Sequence, residues 1–468
     1  MPTWAKTTLK DLMMTTTAKN KYLQSYLLAL VAFFVVGITC FILIFASTFI
    51  PRERIVNSIA RSYAAIESRG DYPLFFSEEP KFRYDGFTDG LMMQRSIRDR
   101  DMTAFEDIVL APYYAIGADT PGGSGTGGVS PTQSLLLMVS DPQLENNRDY
   151  VLYWHGYVVP LRVLLSFMSP MSIIVLNCVI FALLSFLVFE VFRRTGGWAF
   201  GSAFIVSLLL TFAWIAPLGF QFFTSFLLAF LATLVLYYLL QKGSRRVWIV
   251  ALFLTTGLLT AFFDFLTTPL LTFLLPLALF LLWCAKKEIG RCFFHTLQYG
   301  AGWLLGYAGF WSAKWGLTAS LKGFEYANSE FAYAITQRGG SAEGGLEYRI
   351  AAIYNNLYQL VSMRPDGSIP MGEFFMLTGI VLLVAAVIWW LLVKASKTET
   401  IQIKRALPLL LVAAGPYVWY FVLAGHSSFH SWFTYRLQTA SVLALIFFVL
   451  LSIDWIGLHR DHQLKRGN

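Results

Sequence analysis

The sequence predicts an all-α integral membrane protein of about ten transmembrane helices with a large first extracytoplasmic loop, and three observations carry that prediction. Apolar runs of membrane-spanning length recur along most of the chain. Of its 468 residues, 56% are apolar and only 14% charged, with a mean hydropathy of +0.57, whereas about a quarter of a soluble globular protein is charged. Lysines and arginines collect in short clusters between the apolar runs, as the positive-inside rule requires of cytoplasmic loops. The net charge of +8 is therefore a topology signal, and nucleic acid is not an expected partner.

Taken in order, Lys6, Lys10, Lys19 and Lys21 precede an apolar run from Tyr22 to about Ile50. It is too long for the core of a signal peptide and suits a tilted spanning helix, so residues 1–50 read as a cytoplasmic N-terminus and first span. Residues 51–170 read as an extracytoplasmic loop domain, with helices over Arg54–Ser68 and Thr103–Val109 and a flexible tip, PGGSGTGGVSP. In that tip Gly123, Gly125 and Gly128 match G-x-G-x-x-G, but no strand precedes them and no nucleotide loop is expected. The segment DYVLYWHGYVVPLRVLLSF closes the domain as an aromatic amphipathic stretch for the outer interface.

Spans then follow over 171–318, a second outer loop over 319–370, and further spans to a cytoplasmic C-terminus over 371–468. Each cytoplasmic return carries bases: Arg193 and Arg194; Lys242, Arg245 and Arg246; Lys286, Lys287 and Arg291; Lys394, Lys397, Lys404 and Arg405; Arg460, Lys465 and Arg466. The run from Val247 to Cys284 is too long for one span at about 1.5 Å per residue, so two helices should turn at FFDFLTTP, with Asp264 at the outer face. Cys40, Cys178, Cys284 and Cys292 avoid the long polar loops, which excludes a disulfide framework or a cysteine zinc site.

The stretch RYDGFTDGLMMQ, from Arg83 to Gln94, is the strongest candidate for chemistry. In a helix Asp85 and Asp89 share one face, and Gly86 and Gly90 would let a bulky substrate approach the backbone; the alternative is a pair of solvated turns. Apolar residues after Asp89 would desolvate it as a general base, whereas Arg83 would lower the pKa of Asp85 and leave it to position substrate or hold a divalent cation. Asp264 reads either as part of the same site or as the N-cap of the helix running through Pro269. Lys314, in FWSAKWG, is either a functional charge or a snorkelling one.

His155 and Arg162 lie seven apart, on one face if Pro160 leaves the helix continuous, and serve either substrate or lipid headgroups. His426 and His430, in GHSSFHSWFTYR, have metal-binding spacing but no glutamate of the H-E-x-x-H type, which favours hydrogen bonding. The fork of Arg436 suits a phosphate, with interfacial anchoring as its alternative.

Basic groups at the outer interface beside loop carboxylates resemble the GT-C superfamily of membrane glycosyltransferases. The resemblance covers the topology of nearly the whole chain: many spans, an N-terminus inside, and a long first outer loop with an acidic residue, although Asp85 and Asp89 stand further beyond the first span than is usual in the family. FFDFLTTP and HSSFHSWFTYR are also similar to segments of bacterial multi-span proteins. The resemblance implies an enzyme of the bacterial cytoplasmic membrane with both termini cytoplasmic and its active site on the outer face. It would take sugar from a polyprenyl-phosphate donor to a cell-surface glycan or glycolipid, with membrane lipids around it and a divalent cation as its one candidate cofactor. A transporter or flippase for a lipid-linked or anionic substrate is the alternative; the paired broken helices and internal repeats usual in transporters are not evident.

Overall fold

The computed structural model describes residues 27–74, 80–116, 129–141, 143–287, 292–340, 344–361 and 369–455; residues 121–128 of the glycine-rich tip lie outside them. Among the described residues the protein is helical, without a β-strand. The first helix, α1, spans Leu27–Ser47. The loop region holds α2 (Arg52–Ala60), α3 (Tyr63–Arg69), α4 (Gly86–Ser96), α5 (Ala104–Leu110), α6 (Pro131–Ser140) and α7 (Val158–Leu165). Then come α8 (Pro170–Gly196), α9 (Trp198–Leu210), α10 (Phe220–Gln241), α11 (Arg246–Phe263), α12 (Leu271–Lys286) and α13 (Cys292–Lys322). The last part comprises α14 (Phe324–Gly339), α15 (Leu346–Val361), α16 (Met371–Ala395), α17 (Thr400–Ala406), α18 (Leu409–Val422), α19 (Ala424–Phe429), α20 (Ser431–Thr434) and α21 (Thr439–Ser452).

Seven helical stretches of the described residues are long and apolar enough to cross a membrane: α1, α8, α10, α11, α16, the run Thr400–Val422 and the run Ser431–Ser452. Two shorter apolar helices, α9 and α12, and the 31-residue α13 pack among them. The run containing FFDFLTTP does break, between Phe263 and Leu271. There Asp264 accepts from Thr267 N at 3.1 Å, from the Thr267 hydroxyl, and from Ser225 Oγ at 2.6 Å. The helix before the break, α11, lies close to α13 because both helices use glycine: a Cβ on Gly257 would sit 2.0 Å from Trp303 O, and one on Gly306 2.0 Å from Leu254 O. Such small-residue contacts replace the hydrophobic driving force that lipid surroundings remove.

In the loop region, local signals set the helix starts. Thr103 and Glu106 form a reciprocal capping box at α5, Asp85 caps α4, and Ser130 followed by Pro131 starts α6. The helix expected over Arg54–Ser68 is instead two, α2 and α3, interrupted at Arg61–Ser62. Gly86 and Gly90 face protein rather than an open space: a Cβ on the first would lie 2.4 Å from Gly70 O, and one on the second 2.8 Å from Thr132 N. Their role is to let α4 approach the chain at Gly70 and the start of α6.

The aromatic stretch before α7 is not laid on lipid. Tyr153, Trp154 and Tyr157 are buried. Trp154 stacks on Phe310 at 4.5 Å and donates to Phe310 O at 2.7 Å, while Trp311 donates to Leu152 O at 2.9 Å. An indole N–H that finds a carbonyl can be buried whole, and α13 supplies one. Pro160 falls in the first turn of α7, where a missing N–H costs nothing, so it makes no kink. His155 precedes the helix with φ +57°, which takes it off the face that carries Arg162.

A buried charge cluster ties the loop to the bundle. Asp107 receives Arg95 Nη1 at 2.7 Å and Arg162 Nη2 at 2.8 Å, all three being almost fully enclosed. Burial alone would raise the Asp107 carboxyl, but the two guanidiniums outweigh it and hold it at about 2. Lys314 of α13 donates to Ile108 O at 2.8 Å and Val109 O at 2.6 Å, satisfying carbonyls at the end of α5.

Candidate functional site

At the end of the bundle that carries the loop helices lies a cavity of about 460 Å³, within the range of roughly 300–1,000 Å³ usual for small-molecule sites. Its walls come from α4 and α6, from the segment before α7, from the start of α10 and the ends of α13 and α14, and from α19 and α20. Aromatic rings line much of it: Tyr72 stacks on Phe87 with centroids 5.9 Å apart, and Trp432 meets Tyr72 edge-on at 5.7 Å.

Asp85 stands on one wall. As the cap of α4 it accepts from Thr88 N at 2.9 Å and Thr88 Oγ1 at 2.6 Å, which leaves further lone pairs on both oxygens. Burial nevertheless pushes its carboxyl up to about 6. The lowering expected from Arg83 is overturned, because desolvation is the larger effect.

Asp89 does not line this cavity. It is turned toward the start of α10, where Phe220 N donates to it at 2.8 Å and the Gln221 N–H adds a second bond. Burial, then the Asp85 charge, pushes it up to about 8. Its place is that of a group that satisfies the free N–H groups at the start of α10.

Another wall carries a cation that sequence reasoning missed. Arg338, in the last turn of α14, is half-buried and lines the cavity with His426 and His430 of the α19 region. Its Nη1 donates to His426 Nδ1 at 3.3 Å. His426 Nε2 is 2.8 Å from Leu266 O, which can only accept, so Nε2 carries the hydrogen and Nδ1 is the acceptor. Burial, His430 and Arg338 all hold His426 neutral, while burial and Arg338 push His430 down to about 3. His430 Nδ1, 4.7 Å away ring to ring, has no hydrogen-bond partner among the described residues.

Backbone contact makes this cluster possible: a Cβ on Gly425 would lie 2.0 Å from Gln337 O, and Gly340, at φ +74°, has its own Cβ position 3.0 Å from Gly425 N. The Gln337-Arg338-Gly339-Gly340 run was the available signal, an arginine next to paired glycines at a helix end.

The other sequence candidates are placed away from the cavity lining. Arg436 is buried and donates to Lys81 O at 2.8 Å, with Phe212 O and Trp432 O each at 3.3 Å. Lys314 and Arg162 serve the α5 contacts described above. His155 accepts from the Tyr157 hydroxyl at Nδ1, 3.0 Å, and donates from Nε2 to Tyr150 O, 2.9 Å. Asp264 fastens its turn, and burial raises its carboxyl to about 6. Among the described residues no group of three or more His, Cys, Asp or Glu is gathered to hold a metal ion. Comparison with protein-family models, curated proteins and solved structures gave no match to the chain.

Proposed function

We propose that the protein is a membrane glycosyltransferase, GT-C-like in architecture, that moves a sugar from a polyprenyl-phosphate donor to a cell-surface glycan or glycolipid. On this reading α9, α12 and α13 join the seven long apolar stretches as spans, which brings the number to about ten. Both termini then face the cytoplasm and the cavity opens outward, with the basic clusters at the other end.

The supporting observation is one cavity that holds Asp85 together with the Arg338–His426–His430 cluster. Asp85, with a pKa of about 6, is ionised at neutral pH and basic enough to take a proton from an acceptor hydroxyl. The oxygen so freed attacks the anomeric carbon as its bond to the donor phosphate breaks. Arg338 stabilises the phosphate that departs, and His430 Nδ1 offers a further polar contact. Arg338 thereby takes the role expected of Arg436, Lys314, Arg162 and His155, and Asp85 that expected of Asp89.

The test is transfer by purified protein in lipid nanodiscs, supplied with polyprenyl-phosphate hexoses and a mixture of membrane glycolipids. Transfer that disappears in both Asp85→Asn and Arg338→Ala supports the reading. Absence of transfer and of sugar release by the wild-type protein across the donor series overturns it.

A further inference from the structure

Four side chains on the cavity wall, Ser134, Gln221, Trp315 and His430, have buried polar atoms that no described residue satisfies, and the first two stand beside α4. The Ser134 hydroxyl and the Gln221 amide oxygen belong to residues 1% and 5% exposed, and neither meets a hydrogen-bond partner among the described residues. Native structures leave few such groups unpaired, because desolvation without a partner is unfavourable. These two come from different elements, α6 and α10, and both flank α4. Ser134 is on the helix that packs against α4 at Gly90, and Gln221 directly follows the residue whose N–H binds Asp89. They therefore surround the helix that Asp85 caps.

Flat rings complete the wall. Tyr72, 45% exposed, stands between Phe87 and Trp432, all three lining the same space. A hydroxyl and an amide oxygen on residues that share a cavity wall with aromatic rings match a molecule with hydroxyls at its edge and C–H bonds on its face. An acyl chain would leave both polar atoms unpaired. A second phosphate would set its oxygens against the Gln221 carbonyl.

We propose that Ser134 and Gln221 bind hydroxyl groups of a neutral sugar, with Tyr72 and Trp432 against its face, and so decide which sugar is presented to Asp85. Calling that sugar the acceptor rests on the transferase reading above; the binding itself does not.

The experiment is calorimetric titration of the full-length protein in nanodiscs, without donor, using neutral gluco-, galacto- and manno-configured disaccharides as probes. At least one should bind. Ser134→Ala and Gln221→Leu should each weaken it roughly tenfold, the fold-change of one lost hydrogen bond. Ser134→Ala should not lower the thermal midpoint, since it removes a buried group that meets no partner among the described residues. Binding lost in these variants while no donor is turned over upholds the sugar site and sinks the transferase reading. Transfer with an unchanged acceptor KM in both variants, or failure of every disaccharide to bind, overturns the sugar site, and in the first case leaves the transferase reading standing.

Discussion

Arg338 donates to His426 across a junction at which two glycines, Gly340 and Gly425, bring the end of α14 against the start of α19. The two residues are 88 positions apart, and the cation reaches the cavity only because neither glycine carries a side chain at the junction.

Gly425→Ala would therefore drive a methyl group into Gln337 O. Because backbone must move to relieve it, the change should destabilise the protein by about 1–3 kcal/mol, and it should displace Arg338 and reduce transfer. Thermal unfolding and a transfer assay on the same preparation would check this; wild-type values in both would show that the helices part without consequence.

The two carboxylates of α4 should separate by pH. Asp85, at about 6, should give kcat/KM an acid limb that falls as pH drops through 6, and Asp85→Asn should lower turnover by roughly 10²–10⁴-fold. Asp89 is raised in the folded state, from 3.8 to about 8, so its contribution to stability is fully present below the unfolded value and lost as pH rises through 8. Asp89→Asn should keep turnover and flatten the decline in thermal midpoint between about pH 4 and pH 8. Retained turnover in Asp85→Asn, or its loss in a well-folded Asp89→Asn, would reverse the assignment.

Arg338 and Lys314 should also separate, although both are cations near the same end of the bundle. Arg338→Ala should remove transfer and lower the unfolding temperature less than Lys314→Met does, since it gives up one 3.3 Å bond to His426 against the two shorter bonds of Lys314. Lys314→Met should leave the carbonyls of Ile108 and Val109 unpaired and destabilise by about 1–3 kcal/mol. Equal losses of stability in both variants would count against a ligand role for Arg338.

How far the sequence could be read follows from the range of each interaction. The helix expected over Thr103–Val109 and the turn at Asp264 are written within a few residues, and both are found within a residue or so of where the pattern puts them, the first as Ala104–Leu110 with Thr103 as its cap. Lys314 and Arg436 look like ligand groups in the sequence because a basic residue in an apolar run looks the same whether it meets a phosphate or a carbonyl. Their partners, at positions such as Ile108 and Lys81, are hundreds of residues away. Asp107, with a guanidinium 12 residues before it and another 55 after it, gave no local sign of its burial.

Membrane orientation should follow the basic clusters. In a background without the four native cysteines, a cysteine at Asp101 should react with an impermeant maleimide on intact cells, and one at Gln241 only after permeabilisation. Labelling of the Gln241 position from outside would invert the topology and place the cavity at the cytoplasmic face.

The clasp that Lys314 makes on α5 also sets an order of events during synthesis. Ile108 and Val109 leave the ribosome 206 and 205 residues ahead of the ammonium that will bind their carbonyls, and Trp154 emerges 156 residues before Phe310. The segment holding α2 to α7 must therefore wait, unfinished, until α13 has been placed beside it. A nascent chain arrested before Lys314 should remain protease-sensitive in this segment, and one arrested after α13 has cleared the ribosome and insertion machinery should not.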